Sequence, residues 1–350
     1  MKAIVLRKPG LDPVLSVEDT ETPSPSKGEV LVRLRWASLN HLDLWVKRGL
    51  PGGKYPMICG ADGSGFIEEL GADVDGLSRG DEVLLDPTIS CGTCEYCRKN
   101  EHSLCIEVAL LGERRDGTFA QYISVPHQNV HRVPKGLSLE EAAAFPLTFV
   151  TAWRMLVSKA GLRKDEWVLI HGIGGGVSTA ALVLSVKKGA RAIVTSSSEK
   201  KLDKAKDLGA AFTVNYSTQN TEREVMRITE KRGVDVVVDS IGKSTWLGSI
   251  RSLAKGGRLV TCGATTGPDP ATDIVRIFWN QLSIFGSTMG SRSEFSDMVT
   301  AVEEEGLRPV IDSKYTMENF LQAHRRMEEA GQFGKILIEI PRGEGCGDHS

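Results

Sequence analysis

No apolar run in this chain approaches the roughly 18 residues that a membrane-spanning helix needs. At the start, "MKAIVLRKPG" offers only four consecutive apolar residues before Arg7, too few for a signal-peptide core. That stretch reads as a first β-strand, and a cytoplasmic protein is expected. Net charge is nearly absent, at −2, which removes any global attraction to nucleic acid or an anionic membrane. Internal repeats and low-complexity segments are missing as well. Paired, dispersed cysteines are also lacking: of seven, four crowd one loop, while Cys59, Cys262 and Cys346 stand apart. A secreted disulfide scaffold is therefore excluded. Cys262, in "GRLVTCGA", reads as a small buried hydrophobe. What remains, 41% hydrophobic and 25% charged residues over 350 positions, describes a soluble globular protein of about two domains.

The first 130 residues are β-rich in pattern. "EVLVRLRWASL" alternates and predicts a half-buried strand with Val30, Val32, Leu34 and Trp36 on one face. "GFIEELG", "DEVLLDP" and "GTFAQYISVP" predict further short strands, the last closed by Pro126. The pattern then changes. Ser138 with Glu141 three residues later is a capping box, so a helix should begin there. From Glu166 onward buried strands alternate with helical stretches. "WVLIHG" precedes "VSTAALVLSVKKGA", "ARAIVTSSS" precedes "EKKLDKAKDLGA", and "VDVVVDSIG" precedes "STWLGSIRSLAKGG". "RLVTCGA" and "LSIFGST" complete the series, which predicts a parallel sheet covered on both faces. The Gly-rich polar tail "PRGEGCGDHS" is expected to be disordered.

"VLIHGIGGGVSTAALVLSV" is a buried strand, a glycine turn and an alanine-rich helix. Gly174, Gly175 and Gly176 allow a tight turn and let backbone N–H groups approach a pyrophosphate. Ser178 stands where a third glycine is usual. At the end of the next strand, an NAD site places an acid for the ribose 2′-hydroxyl. Here the position reads Ser196, followed by Ser197, Ser198 and Lys201, and hydroxyls with a cation suit a 2′-phosphate. NADP(H) is the expected cofactor, NAD(H) the alternative, with Glu199 the nearest acid.

The spacing C-x2-C-x2-C-x7-C, through Cys91, Cys94, Cys97 and Cys105, predicts a four-thiolate zinc site. A ferredoxin-type iron–sulfur run has three residues before its last cysteine and a proline after it, whereas here the gap is seven and Ile106 follows. Four protein ligands leave no place for water or substrate, so this zinc, one per chain, should be structural.

With these motifs in hand the chain resembles the medium-chain dehydrogenase/reductases, the superfamily of zinc alcohol dehydrogenases and quinone oxidoreductases. The resemblance spans nearly all of residues 1–341 and rests on "PSPSKGEVLVRL", "NHLD", "GADGSGFIEELG", "GDEV", the cysteine lobe, "AAAFPLTFVTAW", the glycine loop and "FGKILIEI". It implies an α/β protein: a GroES-like β-barrel domain over 1–133 and 291–341, with a zinc lobe at about 88–110, and a doubly wound Rossmann domain over 134–290. Residues 342–350 form the tail.

Catalytic zinc in the superfamily is bound by a cysteine, a histidine and a third residue. The matching positions here read Asn40 and Ala61, with Asp62 after it, and Leu42 replaces a relay hydroxyl. The resemblance thus implies hydride transfer from NADPH to a quinone or an α,β-unsaturated carbonyl without catalytic zinc. Two alternatives stay open. One is a zinc alcohol dehydrogenase acting on an aldehyde or alcohol, with an unorthodox site from Cys59, His41, Asp43 and Asp62. The other is a non-catalytic dinucleotide sensor.

Asn40, Asp43 and Thr148 are the expected catalytic-cleft residues, although Asp43 reads equally as the cap of a helix over "LDLWVKRG", and His41 as a loop histidine. Val177 and Gly263 join the expected cofactor set, and the resemblance implies that Tyr216 flanks the adenosine phosphate with Lys201 and that Ser287 and Thr288 line the nicotinamide loop. Trp45 and Trp279 read as core or substrate residues. "LSIFGST" is expected to pair across a twofold axis, giving a homodimer or homotetramer. No nucleic-acid or membrane partner is expected.

Overall fold

The computed structural model describes residues 1–10 and 14–342. The tail from 343, with Cys346, lies outside the described residues. The chain divides into two compact units, Met1–Leu147 with Ser291–Glu303 and the chain from Ile311, and Thr148–Gly290 with Glu304–Val310. Among the described residues no helix is long and apolar enough to cross a membrane.

The first unit is the GroES-like domain. Its main sheet has seven strands around Glu29–Ser38, which pairs antiparallel with Asp62–Leu70 along one edge. Its other edge is shared, with Tyr122–Pro126 on its first half and Lys335–Glu339 on its last residues. The C-terminal return implied by the resemblance is therefore a strand pairing: Leu337 opposite Ser38 and Glu339 opposite Trp36. Ile4, Leu6, Val30, Val32, Leu34, Phe119 and Ile338 pack in the core.

One expectation about Glu29–Ser38 fails at its end. Val30, Val32 and Leu34 share the core face, but the register slips between Leu34 and Trp36. An inserted residue reverses the in–out alternation. Ala37 therefore joins the core in place of Trp36, which packs on the opposite face with Ala143, Ala144 and Leu337.

The helix signalled by Ser138 runs Leu139–Ala144, with the capping box formed. It stays with the first unit rather than opening the second, because its backbone is bonded to the barrel: Ser64 Oγ donates to Leu139 O (2.5 Å) and Ser38 Oγ to Ala143 O (2.8 Å).

The second unit is the Rossmann domain. Its six-stranded sheet runs Phe212–Asn215, Arg191–Ser196, Trp167–Ile170, Val234–Asp239, Leu253–Thr261, Ser283–Gly286, and every pairing is parallel. In chain order this is 3-2-1-4-5-6, whose reversal beside the first strand is the dinucleotide position of such sheets. Leu169, Ile193, Val214, Val237 and Leu259 form its buried core. The fifth strand begins at Leu253, so it takes in the "LAKGG" that the pattern assigned to a helix, through a register shift against Val234–Val236.

Candidate functional site

The cysteine lobe is built from two short helical turns. Glu95–Arg98 carries Cys97 and has Cys94 at its cap, and His102–Leu104 delivers Cys105. Gly92 (φ 74°) makes the tight turn after Cys91. The sulfurs sit 3.5 Å (Cys94–Cys97, Cys91–Cys105) and 4.0 Å (Cys91–Cys97) apart. Those spacings are too long for disulfides and match the ~3.8 Å edge of a tetrahedron with metal–sulfur bonds of about 2.3 Å. Backbone N–H groups of Cys91 and Glu107 donate to Cys105 Sγ at 3.3 and 3.4 Å, the support a thiolate ligand requires. Among the described residues this is the one convergent group of three or more His, Cys, Asp or Glu side chains. It is a closed, structural zinc site.

A second polar cluster lies within the barrel unit. Asn40 caps the helix His41–Arg48, and its backbone N–H donates to Asp43 Oδ2 at 2.7 Å, the reciprocal half of a capping box. Asn40 Nδ2 donates to Asp62 Oδ2 (2.9 Å), while Asn40 Oδ1 accepts from Lys335 Nζ (2.5 Å). Lys335 Nζ also donates to Asp62 Oδ2 at 2.8 Å, both partners being almost completely buried. Asp62 Oδ2 thus accepts from Asn40 and Lys335 and lies 3.2 Å from Ser38 Oγ, and Oδ1 accepts from Leu147 N (2.8 Å). Burial pushes the Asp43 carboxyl up to about 7, against the pull of the Asn40 N–H and Lys335.

Several expectations meet this cluster. Asn40 and Asp43 are together, but buried and fully engaged (4% and 3% exposed) rather than lining an open wall. Asp43 is not the cap itself but its capping-box partner in the first turn, with Asn40 at the cap. His41 is not in a loop: it opens the helix, solvent-exposed, edge-on to the Trp45 ring at 5.2 Å. The four residues suggested for a second metal do not form a convergent ligand group among the described residues, and Asp62 is engaged by Lys335. Lys335 escaped the sequence reading. Its signal was a charge inside the apolar run "FGKILIEI".

In the Rossmann unit the strand Trp167–Ile170 leads through the glycine turn to the helix Gly176–Lys187, capped by Gly175. Gly174 adopts φ 111°, open only to glycine, and a Cβ on Gly263 would lie 2.9 Å from Ser240 O. Ser178 Oγ reaches Gly172 O (2.8 Å) and Gly175 O (3.0 Å), so the residue at the third-glycine position braces the loop. Beneath it runs a buried relay that sequence reasoning missed. Ser249 Oγ donates to Asp239 Oδ2 (2.8 Å) and lies 3.0 Å from His171 Nε2, and Gly172 N donates to Thr195 Oγ1 (3.2 Å).

At the end of Arg191–Ser196, Ser196 is buried and accepts from Ser198 N (3.2 Å), while Ser197 is exposed and accepts from Tyr216 OH (3.3 Å). Ser198 caps the helix Glu199–Asp207 by accepting from Lys201 N, which sets half-buried Lys201 in the first turn. Glu199 accepts from Asn215 Nδ2. Val177 is half-buried and Thr288 exposed. Among the described residues Thr148 Oγ1 and Ser287 Oγ are buried with no hydrogen-bond partner. Cys262, read as a small buried hydrophobe, is half-buried. Trp279 is 76% exposed and belongs to no core.

A GroES-like barrel, a Rossmann sheet with an open glycine turn, and a sealed zinc clip together define a nicotinamide-dependent oxidoreductase. Comparison with known proteins agrees. Residues 26–135 match the alcohol dehydrogenase GroES-like domain and residues 176–304 the zinc-binding dehydrogenase domain. A zinc-type alcohol dehydrogenase-like protein of Schizosaccharomyces pombe is 34% identical over 93% of this chain and 95% of its own. An acryloyl-coenzyme A reductase of Sulfurisphaera tokodaii is 30% identical over 97% of this chain and 100% of its own. A crystal structure of an NAD-dependent alcohol dehydrogenase is 44% identical with a TM-score of 0.94, covering 97% of this chain and 100% of that one. The chain belongs to the medium-chain, zinc-type alcohol dehydrogenase family, and it is an NAD(P)-dependent oxidoreductase.

Proposed function

We propose that the enzyme reduces an α,β-unsaturated carbonyl compound with NADPH and uses no catalytic zinc. The observation that carries this reading is the ammonium of Lys335 seated between Asn40 Oδ1 and Asp62 Oδ2. A divalent ion at Asp62 would have to displace a buried ion pair or sit against its positive charge. Reduced nicotinamide supplies a hydride. Added at the β-carbon of an enone or enoyl thioester, that hydride would leave an enolate whose charge the conjugated carbonyl delocalises and which would take its proton at the α-carbon from solvent, so the demand for a Lewis acid would be small. A quinone fits the same argument.

In this account Thr148 and Ser287 offer their partnerless hydroxyls to the nicotinamide end. Asn40 and Asp43 hold the first turn of His41–Arg48 and are positioning residues rather than substrate contacts. The strand end at Ser196 carries no carboxylate, and the nearest one, Glu199, is held by Asn215, which supports NADPH. Lys201 and Tyr216 stand at the same end for a 2′-phosphate.

The names of the relatives weigh toward a second reading, oxidation of an alcohol with NAD and a catalytic zinc. They favour it over quinone reduction, although the acryloyl-coenzyme A reductase is named for a conjugated substrate. One assay separates the two readings. Turnover of NADPH and NADH is followed with an enone, an enoyl thioester, a quinone and an aldehyde, before and after dialysis against a chelator too weak to open the cysteine site. Enone or enoyl reduction that survives dialysis and prefers NADPH supports the first reading. Aldehyde or alcohol turnover lost on dialysis and restored by zinc overturns it.

We also infer a homodimer built on the strand Ser283–Gly286. It is an edge of the Rossmann sheet, and the neighbouring helix Ile274–Trp279 exposes Ile274, Val275, Phe278 and Trp279. An unpaired edge flanked by an apolar patch favours pairing with its own copy.

A further inference from the structure

The chain passes from the Rossmann unit back to the barrel unit between Gly290 and Ser291. On the Rossmann side Met289 is buried in a left-handed conformation (φ 50°), with Thr151 Oγ1 3.9 Å from its sulfur. On the barrel side a capping box opens the helix Arg292–Glu305: Ser291 N donates to Glu294 Oε2 (2.6 Å) and Glu294 N to Ser291 Oγ (3.2 Å). This helix start is tied to the zinc lobe at three points. Arg292 N donates to His102 Nδ1 (3.4 Å), Arg292 Nη2 donates to Ser90 Oγ (3.2 Å), and Asn100 Nδ2 donates to Ser293 Oγ. Ser90 precedes the first zinc ligand, and Asn100 and His102 fall between the third and fourth.

We infer that the zinc clip positions the nicotinamide loop, by holding Arg292 and Ser293 at the start of the returning segment, a few residues downstream of Ser287 and Thr288. The four ligands fix a lobe too small to have a core of its own. The lobe presents one ring nitrogen and two polar side chains to the backbone and side chains of 292–293. Fixing that end limits the conformations open to 287–290, so less entropy is lost when cofactor binds. The inference rests on the assignment of Ser287 and Thr288 to the nicotinamide loop.

The test measures NADPH dissociation constants by cofactor fluorescence, with zinc content determined on the same samples. Asn100→Ala combined with His102→Ala is expected to keep about one zinc per chain and to weaken NADPH binding about five- to tenfold. His102→Asn, whose amide oxygen can accept from Arg292 N in place of Nδ1, restores most of that affinity. Arg292→Ala with Ser293→Ala approaches the contact from the side that bears no ligand, and is expected to weaken binding similarly with zinc unchanged. If the 292–293 pair binds NADPH as the wild type does, the inference fails, whatever happens to zinc in the lobe variants. Ser287→Ala separates the premise from the inference. Unchanged NADPH affinity there overturns the loop assignment, whereas weakened affinity beside wild-type behaviour of the 292–293 pair overturns the clip alone.

Discussion

Lys335 is 3% exposed and shares its strand with Ile336, Leu337 and Ile338, all fully buried. An ammonium is held there because Asp62 and Asn40 meet it, and the three act as a unit. Replacing the lysine alone (K335M) strands the Asp62 charge and should cost about 3–5 kcal/mol of stability. The pair K335M/D62N removes both charges and should recover most of that loss, a coupling that urea unfolding of the four proteins measures. Additive losses would mean that the two side chains do not depend on each other.

Asp43 gives a pH signature with a defined sign. Its folded carboxyl keeps a proton up to about 7, facing Asp62, which raises it, and Lys335, which lowers it. The unfolded chain releases that proton near 4. Between those values the folded state binds more protons at this site, so the contribution of Asp43 to stability falls as pH rises from about 4 to about 7 and then levels. Asp86, also raised to about 7 by burial, adds a slope of the same sign. Buried His131, lowered to about 4, adds a slope of the opposite sign, so the difference is the test: the unfolding free energy of D43N relative to the wild type should rise as pH goes from about 4 to about 7. An unchanged slope would remove Asp43 from the account. Asn40 and Asp62 stood out in the sequence by position, but their partner lies 273 residues beyond Asp62, and pairing at that range leaves no local trace.

At the scale of elements, local chemistry was legible wherever it acts locally. The Ser138–Glu141 box starts its helix where the spacing predicts, and the glycine turn joins the expected strand and helix. The bulge in Glu29–Ser38 was hidden, because an inserted residue in one strand is defined only against its partner, and Trp36 looked like the next step of the alternation. The short edge strand Phe212–Asn215 was missed for a related reason. In its four residues Phe212 is exposed and Val214 buried, too little pattern to separate from a loop. The opposite edge carries the association prediction. Val275→Ser with Trp279→Ser removes exposed apolar surface and no buried side chain, so it should leave folding intact and shift the protein to monomer by light scattering after size-exclusion. A dimer or tetramer that survives both changes would move the interface elsewhere.

For the whole molecule, motif order carried the architecture. A β-rich first third and alternating strands and helices pointed to a barrel-like domain and a parallel sheet, the family resemblance implied the C-terminal return, and the structure has a GroES-like domain and a six-stranded Rossmann sheet. Residues 134–147 stay with the barrel because Ser38 and Ser64 bond their carbonyls, and 304–310 go with the Rossmann unit. The central claim concerns metal: the four cysteines form the structural zinc site, while Asp62, suggested for a second ion, is bound to Lys335. Zinc content per chain, measured on purified protein after dialysis against a weak chelator and then after zinc is added back, tests this most directly. The account predicts about one zinc per chain in both states, with reductase activity unaltered between them. About two per chain, with activity following the second, would contradict it.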